Sequence, residues 1–366
     1  MPSPNVSPEN SGDRPDLKNM TLPEMEEFLS HLGREKYRAR QIFKWMYRKG
    51  TVRFEEMTDL ARSFREEISS LARIGTVEIA DSTTSRDGTR KFLYTLEDGL
   101  TVESVLLRER NHWTLCVSTQ AGCRMGCRFC LTGTFGLKRN LRPGEITGQV
   151  TALRLGIPEG PDIRNLVLMG MGEPLDNYDN VLRAIRILTD DCGHGFSNRR
   201  ITVSTCGLAP AIPDLSRDSA VNLAVSLNAP DDETRNRLMP INRKYPLAAL
   251  LAACRDYEMP LRRRITFEYI LIKGVNDSVA QAQELARLLR GVRCKINLIP
   301  FNEFPESEFR RPADEEIEAF RNVLVDRNFT AIVRAGKGLD ILAACGQLSG
   351  RRRPESRQRR QKGESS

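Results

Sequence analysis

The chain has 366 residues, of which 40% are hydrophobic and 28% are charged, a composition typical of a soluble globular protein with one large core and a smaller appended domain. No apolar run approaches the roughly 20 residues that span a bilayer, and the N-terminal stretch MPSPNVSPENSGDRP lacks the apolar segment of a secretory signal. We therefore expect a cytoplasmic protein with no membrane partner, whose nine cysteines are metal ligands, catalytic thiols or packing residues and not a disulfide framework.

The net charge of +8 is concentrated at the C-terminus. Residues 351–366 carry seven Lys or Arg and two Glu, hence +5, which leaves +3 for residues 1–350. Such a tail attracts phosphate by counterion release, but it is equally typical of a solvated, disordered end. Net charge alone therefore does not distinguish nucleic-acid binding from ordinary solubility.

A small helical accessory domain is predicted at residues 19–75, after a disordered tail at residues 1–18. Thr21 and Glu24 have the spacing of a capping box, and apolar residues follow at helical spacing. The stretch 37–50, YRARQIFKWMYRKG, interleaves basic and aromatic side chains. This pattern fits RNA binding through cations and stacking rings, and it fits plain packing through an apolar stripe; both hold if they use opposite faces of the helix.

The rest of the chain is predicted to be an α/β unit. Residues 76–110 form a β linker, in which Asp98-Gly99 between two alternating runs indicates a hairpin with a type I′ turn. In the core, residues 111–348, apolar strands alternate with helices, which predicts a partial (β/α)6 barrel with parallel strands. A basic disordered tail at residues 349–366 follows. The predicted core strands are 114–119, 165–169, 200–205, 221–227, 265–272 and 295–301.

Three cysteines follow the first core strand in AGCRMGCRFCLTGT, where Cys123, Cys127 and Cys130 have the spacing Cys-x3-Cys-x2-Cys. A structural zinc site usually has four ligands, and Cys116, the nearest further cysteine, lies on the preceding strand. The spacing resembles that of the radical S-adenosylmethionine (SAM) superfamily. The resemblance implies that the three thiolates bind a [4Fe–4S] cluster and that SAM occupies the open position on its fourth iron.

Loops at other strand ends are the expected SAM contacts. GMGEPL follows the second core strand, and although such a segment can be a simple tight turn, it is similar to the superfamily's Gly-Gly-Glu motif. The similarity implies that Gly172 and Glu173 contact the methionyl part of SAM. The remaining expected SAM contacts are Ser204, Ser226, Leu227, Asn228 and Asn302.

Beyond these motifs, segments such as LCVSTQAGC, FCLTGTFGLKRNL, MPINRKY, FEYILIKGVND and AACGQL are similar, in order, to the RlmN family of dual-specificity 23S rRNA and tRNA adenine C2-methyltransferases. The resemblance covers roughly residues 20–348. It implies 23S rRNA and tRNA (next to the anticodon) as substrates, flavodoxin or ferredoxin as electron donor, and a monomer. The family usually has His where this chain has Asn228, and Asn can contact SAM but cannot transfer a proton.

The resemblance also implies the catalytic residues. Adenine C2 is electron-poor, so the family loads a methyl group from one SAM onto a cysteine and uses a second SAM, reduced at the cluster, to make that carbon reactive. Cys345 in AACGQL is then the methyl carrier, Cys116 is the resolving cysteine that releases the product through a transient disulfide, and Glu103 is the base that removes the C2 proton. Judged without the family, Cys345 would be a buried structural thiol and Glu103 a strand-surface carboxylate.

Two other functions stay open. One is the related Cfr-type methylation of adenine C8, which uses the same two-cysteine mechanism. The other is a non-catalytic iron–sulfur or zinc protein that binds RNA as an assembly factor. Further RNA contacts are expected at Lys138, Arg139, Arg142 and Arg262–Arg264, and packing roles at Cys192, Cys206, Cys254 and Cys294.

Overall fold

A computed structural model describes residues 14–157, 161–305 and 307–350. The predicted tails lie outside the described residues except at their inner ends, and there both boundaries are wrong. Leu17 is fully buried in a short 3₁₀ helix, Leu17–Asn19, and its N–H donates to the carbonyl of Arg73 at 2.9 Å, so the ordered chain begins before residue 19. At the other end, Gly350 is buried against the β linker, and so the ordered chain extends beyond residue 348.

The N-terminal helices form a separate small core. The capping box is confirmed, because the Glu24 carboxylate accepts from both the N–H and the hydroxyl of Thr21 at 2.8 Å. Buried side chains such as Phe43 and Met46 face inward, while Lys44 and Arg48 on the same stretch are exposed. The helices of this domain are α1 (Leu22–His31), α2 (Lys36–Lys44) with a π-helical extension (Trp45–Lys49), a 3₁₀ turn (Phe54–Glu56) and α3 (Arg62–Leu71).

The remaining elements build one large sheet and the helices around it. The strands are β1 (Glu78–Thr84), β2 (Arg90–Thr95), β3 (Thr101–Arg108), β4 (Trp113–Cys116), β5 (Gln120–Gly122), β6 (Leu137–Asn140), β7 (Ile163–Leu168), β8 (Ile201–Thr205), β9 (Asn222–Ser226), β10 (Ile265–Leu271), β11 (Cys294–Pro300) and β12 (Ala331–Val333). The helices are α4 (Leu131–Thr134), α5 (Pro143–Leu155), α6 (Tyr178–Thr189), α7 (Ala211–Asp218), α8 (Asp232–Leu238), α9 (Leu247–Arg255), α10 (Val279–Leu288) and α11 (Asp314–Asp326). Short 3₁₀ turns are Pro174–Asn177, Asn198–Arg200, Pro240–Arg243 and Leu339–Ile341.

The sheet has the order β1-β2-β3-β4-β7-β8-β9-β10-β11-β12, and its strands are parallel from β4 onward. The α/β class and the six predicted core strands are confirmed. Two features differ from the prediction. A seventh parallel strand, β12, follows β11, and the β linker continues the sheet, because β3 pairs with β4 in antiparallel fashion.

The hairpin predicted around Asp98-Gly99 joins β2 to β3, but its turn is not type I′. A type I′ turn needs positive φ at two residues, whereas here Gly99 alone has it, at 80°. Leu96 N–H donates to the carbonyl of Leu100 at 2.8 Å, which closes a three-residue loop in place of a two-residue one. Within the described residues, no helix is long and apolar enough to cross a membrane.

Candidate active site

The three-cysteine loop follows β5 and ends at α4, for which Cys130 is the N-cap. Gly122 makes the loop possible, because it has φ of 79° and a Cβ there would lie 1.9 Å from the carbonyl oxygen of Gly136. Cys123 N–H donates to that same carbonyl at 3.0 Å. The loop therefore folds back on itself, which brings Cys123, Cys127 and Cys130 to one small cavity of about 160 Å³.

These thiols fit an iron–sulfur cluster. Burial raises the pKa of Cys130, and the charge of Cys127 raises it further, so thiolates here need a compensating cation such as iron. In the described part of the chain no three acidic, His or Cys side chains converge on a single metal ion. A cluster does not require that convergence, since each thiolate binds a different iron atom. A single zinc ion does require it, so the zinc alternative is not favoured.

The cavity beside the cysteines brings together most of the expected SAM contacts, namely Gly172, Glu173, Ser204, Ser226 and Asn228. The Glu173 carboxylate is buried and accepts from the N–H groups of Leu175, at 3.1 Å, and Cys206, at 2.7 Å. Burial raises its pKa. Glu173 thus places a carboxyl group in the wall of this cavity, where it can bind the amino group of an amino acid.

Two expected contacts lie elsewhere. The Leu227 side chain belongs to the hydrophobic core, and its backbone N–H and carbonyl are already hydrogen-bonded to Glu268 and Arg235. It borders neither cavity of this site. Asn302 borders a second, larger cavity, where its amide donates to the carbonyl of Cys345 at 3.1 Å. Asn302 is therefore hydrogen-bonded to the backbone of the segment that contains Cys345.

Asn228 has a structural reason to be Asn. Its φ is 59°, in the left-handed region that Asn tolerates better than most residues. Its side-chain oxygen accepts from the N–H of Ile270 at 2.8 Å, and its amide lies 3.3 Å from the sulfur of Met239. The side chain, fully buried, thereby ties the end of β9 to β10 at the cavity wall.

The larger cavity, of about 690 Å³, contains the two cysteines expected to react with each other. Cys116 is half-buried at the end of β4, and Cys345 is exposed to the cavity on the segment after the last 3₁₀ turn. Loss of solvation in this recess, and then the charge of Glu268, raise the pKa of Cys345 to about 11. Burial and the charge of Cys345 together raise the pKa of Cys116 well above its ordinary value, and both cysteines line the same cavity.

Glu103 is close to this cavity along β3 but does not border it. The carboxylate is 1% exposed and forms an ion pair with Lys91 at 2.9 Å. Its other oxygen accepts from the N–H groups of Ser349 and Gly350, at 2.7 and 2.9 Å. The expected base is thus covered by the C-terminal end of the described chain, and it is not the surface carboxylate that its strand position alone would indicate.

Sequence reasoning missed the polar lining of the larger cavity. Glu268 on β10 and Asn297 on β11 face it, and so do basic side chains around its mouth. Alternation along the strands ITFEYIL and CKINLIP contains the signal, because Thr266, Glu268 and Ile270 share one face. The basic residues at this mouth are Arg199, Arg200, Lys295, Arg334 and Lys337.

The basic residues expected to bind RNA have mixed environments. Arg139 is held by Glu145, at 2.7 Å, and by Asp98, at 2.5 Å, so its charge is already paired. Lys138 and Arg142 are exposed. Of the three consecutive arginines, Arg262 and Arg264 are exposed and Arg263 is half-buried. RNA contact at these positions remains a prediction.

Comparison with known proteins agrees with this arrangement. Residues 15–74 match the model of the ribosomal RNA large subunit methyltransferase N-terminal domain, and residues 117–289 match the radical SAM superfamily. The chain is 57% identical over 339 residues to the dual-specificity RNA methyltransferase RlmN of Syntrophus aciditrophicus, covering 93% of this chain and 97% of that protein. The chain belongs to the RlmN family. The RlmN of Geobacter sulfurreducens is 54% identical, with 92% of each chain covered.

A solved structure supports the same assignment. A radical SAM methyltransferase from Sphaerobacter thermophilus superposes with a TM-score of 0.86 at 47% identity, covering 92% of this chain and all of that one. As an RlmN family member, the chain is a radical SAM methyltransferase that uses a [4Fe–4S] cluster and SAM. This membership favours the main interpretation over the Cfr-type and assembly-factor alternatives.

Proposed function

We propose that this enzyme methylates C2 of an adenine in 23S rRNA and in tRNA, next to the anticodon, as a cytoplasmic monomer that receives electrons from a flavodoxin or ferredoxin. The observation that carries the proposal is the placement of Cys116 and Cys345 in one cavity, next to the cavity of the three cluster cysteines. The relatives in Syntrophus and Geobacter are named dual-specificity RNA methyltransferases, which supports RNA as the substrate class.

The residues of the chain have distinct roles in this proposal. When bound, the cluster supplies the electron that makes the chemistry of SAM radical. Cys345 accepts a methyl group as a thioether, and one hydrogen atom of that methyl group would be lost to the radical that SAM supplies, so that its carbon can bond to C2. Glu103 takes the C2 proton, and one electron would return to the bound cluster as the ring becomes aromatic again.

The Cys116 thiolate then attacks the sulfur of Cys345, so that a disulfide forms as the bond between that sulfur and the carbon on C2 breaks. The released carbon keeps the electron pair of that bond and takes up a proton, which completes the methyl group. The methylated base leaves, and external reduction restores both thiols.

RNA would approach through the mouth of the larger cavity. Arg199 and Arg334 at that mouth are exposed, and Lys295 is half-exposed. No side-chain hydrogen bond or ion pair to these three cations is present among the described residues, so their charges are available to phosphate. The exposed basic face of residues 37–50 offers a second contact, and its opposite face packs in the helical core.

The experiment that tests the proposal separates the two reactive cysteines. Reconstituted Cys116→Ala enzyme, incubated with SAM, reductant and RNA, should form the thioether between Cys345 and the base but not release it. A covalent protein–RNA band in a denaturing gel is the expected result, and it should vanish when Cys345→Ala is added. Cys192→Ala is the matched control, since that thiol packs in the helical domain and borders neither cavity.

Two outcomes would contradict the proposal. Normal turnover by Cys116→Ala would remove its resolving role, and an unchanged band in the double variant would remove Cys345 as the carrier. Mass spectrometry of the nucleosides from modified RNA gives the position of the methyl group. A product methylated at C8 in place of C2 would replace the proposed reaction with its Cfr-type alternative.

A further inference from the structure

Glu268 and Asn297 form a polar pair inside the sheet that neither the expected cluster site nor the expected catalytic cysteines account for. They are direct partners in the parallel register of β10 and β11. The Asn297 amide donates to Oε1 of Glu268 at 2.9 Å. Because the backbone carbonyl of Glu268 also accepts from Leu227 N–H at 3.0 Å, the position of this side chain is fixed by the strand.

Each member of the pair keeps one oxygen free of protein partners. Oε2 of Glu268 and Oδ1 of Asn297 accept no hydrogen bond from any of the described residues, and no cation lies within ion-pair distance of the carboxyl. Glu268 is only 9% exposed, and burial raises its pKa, with the hydrogen bond from Asn297 and the charges of Arg334 and Lys295 acting in the opposite direction. The two free oxygens thus remain available to a ligand in the larger cavity, which both side chains border.

The position of the pair identifies that ligand. Glu268 borders both cavities and lies near the carrier Cys345, but Asn297 borders only the larger one. The occupant of the larger cavity is the base that receives the methyl group, given the proposed function, on which this inference rests. Adenine N1 is one of the two ring nitrogens bonded to C2, and it is the one on the Watson–Crick edge, so a group beside Cys345 is well placed to reach it.

We propose that Glu268 and Asn297 recognise the Watson–Crick edge of the target adenine. Protonated Glu268 donates from Oε2 to N1, and Oδ1 of Asn297 accepts from the exocyclic amino group at C6. Together with the existing Asn297–Glu268 bond, these contacts close a ring of three hydrogen bonds. Guanine and hypoxanthine carry a carbonyl at C6 and a proton on N1, so both contacts would fail with those bases.

The test compares RNA substrates that differ at one nucleotide. Single-turnover rates are measured with the target adenosine intact and with purine ribonucleoside in its place, which keeps C2–H and N1 but lacks the amino group. Wild-type enzyme should prefer adenosine by about tenfold or more, the usual effect of leaving one buried polar group unpaired. Asn297→Ala should lose most of that preference by slowing the adenosine reaction alone.

Two Glu268 variants test the donor. Glu268→Gln keeps an N–H donor and should retain the rate on both RNAs within about threefold, whereas Glu268→Met should lose about tenfold or more on both, because both substrates carry N1. Thr266→Val is the matched control, since Thr266 faces the same cavity from the same strand; it should leave the adenosine preference unchanged. A Glu268→Gln enzyme as slow as Glu268→Met, or an Asn297→Ala enzyme with the wild-type preference, would overturn the inference.

A separate measurement distinguishes the target base from the adenine of SAM, which has the same edge. Methyl loading of Cys345 from SAM is followed by protein mass spectrometry without RNA. Asn297→Ala and Thr266→Val should load at the wild-type rate, since both residues border the larger cavity alone; a loss of loading in Asn297→Ala that parallels its loss of RNA methylation would assign the pair to SAM and contradict the inference. If wild-type enzyme loads the methyl group but modifies neither RNA, the proposed function itself fails, and this inference fails with it.

Discussion

The buried ion pair between Glu103 and Lys91 offers a sharp test of how the C-terminal segment is held over the catalytic region. The Lys91 side chain is 10% exposed and also donates to the carbonyl of Leu342 at 3.3 Å. Removing one partner of a buried pair typically costs about 3–5 kcal/mol, because it leaves the other charge uncompensated. We therefore expect Glu103→Gln, which keeps volume and one acceptor oxygen, to lower the free energy of unfolding by about 3 kcal/mol.

The complementary variant should cost less. In Lys91→Met the carboxylate keeps its two hydrogen bonds from Ser349 and Gly350, and each charge-assisted bond of this kind is worth about 1.5–3 kcal/mol. A loss of about 1–2 kcal/mol is expected. The double variant has no uncompensated charge, so the two effects should be less than additive, with a coupling of about 1–2 kcal/mol.

Urea denaturation of the anaerobic, reconstituted protein measures all three variants. The control is Glu66→Gln, because Glu66 pairs with Arg62 on an exposed helix face, where the side chains are 65% and 85% exposed; its effect should stay within about 0.5 kcal/mol. Effects of Glu103→Gln and Lys91→Met that add within about 0.5 kcal/mol would refute the coupling. If Glu103 is also the base, Glu103→Gln should load the methyl group normally yet release no methylated RNA.

Three further predictions concern the cluster cysteines, the basic residues of the larger cavity and Asn228. Anaerobic reconstitution with iron and sulfide should give one [4Fe–4S] cluster, seen by its visible absorbance, and Cys127→Ser should sharply reduce bound iron; stoichiometric zinc with no such absorbance would contradict this assignment. RNA affinity should fall steeply with salt, and Arg334→Ala should lower the slope of log affinity against log salt by about one unit without changing the preference for the target base; filter binding across a salt series measures both. Asn228→Ala should lower the free energy of unfolding, measured by urea denaturation, by about 2–4 kcal/mol, because it leaves the N–H of Ile270 unpaired and places Ala at a positive φ. A loss below about 1 kcal/mol would show that the hydrogen bond between Asn228 and Ile270 contributes little.

The sequence predicts the sheet well because the relevant signals are local. Alternating apolar strands and intervening helical periods are properties of short segments, and all six core strands are present at the predicted places. The pairing of β3 with β4 was not predicted although the two strands are close in sequence, because the four residues between them, 109–112, contain no Asn-Gly or Asp-Gly pair to mark a hairpin. The predicted type of the turn at Gly99 was wrong for a local reason, because an Asp-Gly pair fits both a type I′ turn and a three-residue loop that ends in glycine.

The site was predictable in part. The spacing of Cys123, Cys127 and Cys130 indicates a cluster through its resemblance to the radical SAM superfamily, because ligands that lie close in sequence leave a recognisable pattern. The partners of Glu103 leave no such pattern in the sequence. Lys91 and Ser349 reach Glu103 from different parts of the chain, and only the fold brings them together. The same is true of Glu268 and Asn297, which become a pair through the register of two strands that are separated by a helix.

The two cavities also bear on the proposed role of Cys345 as the methyl carrier. A carrier must reach both the methyl donor, expected beside the cluster cysteines, and the base, expected in the larger cavity. All nine cysteines lie within the described residues, and Cys130 and Cys345 alone border both cavities. Cys130 is committed to the cluster in the radical SAM motif, which leaves Cys345. Its segment is held against the motif, since the Leu131 N–H donates to the carbonyl of Gly346 at 2.7 Å, and Cys345 therefore lies where the two cavities meet.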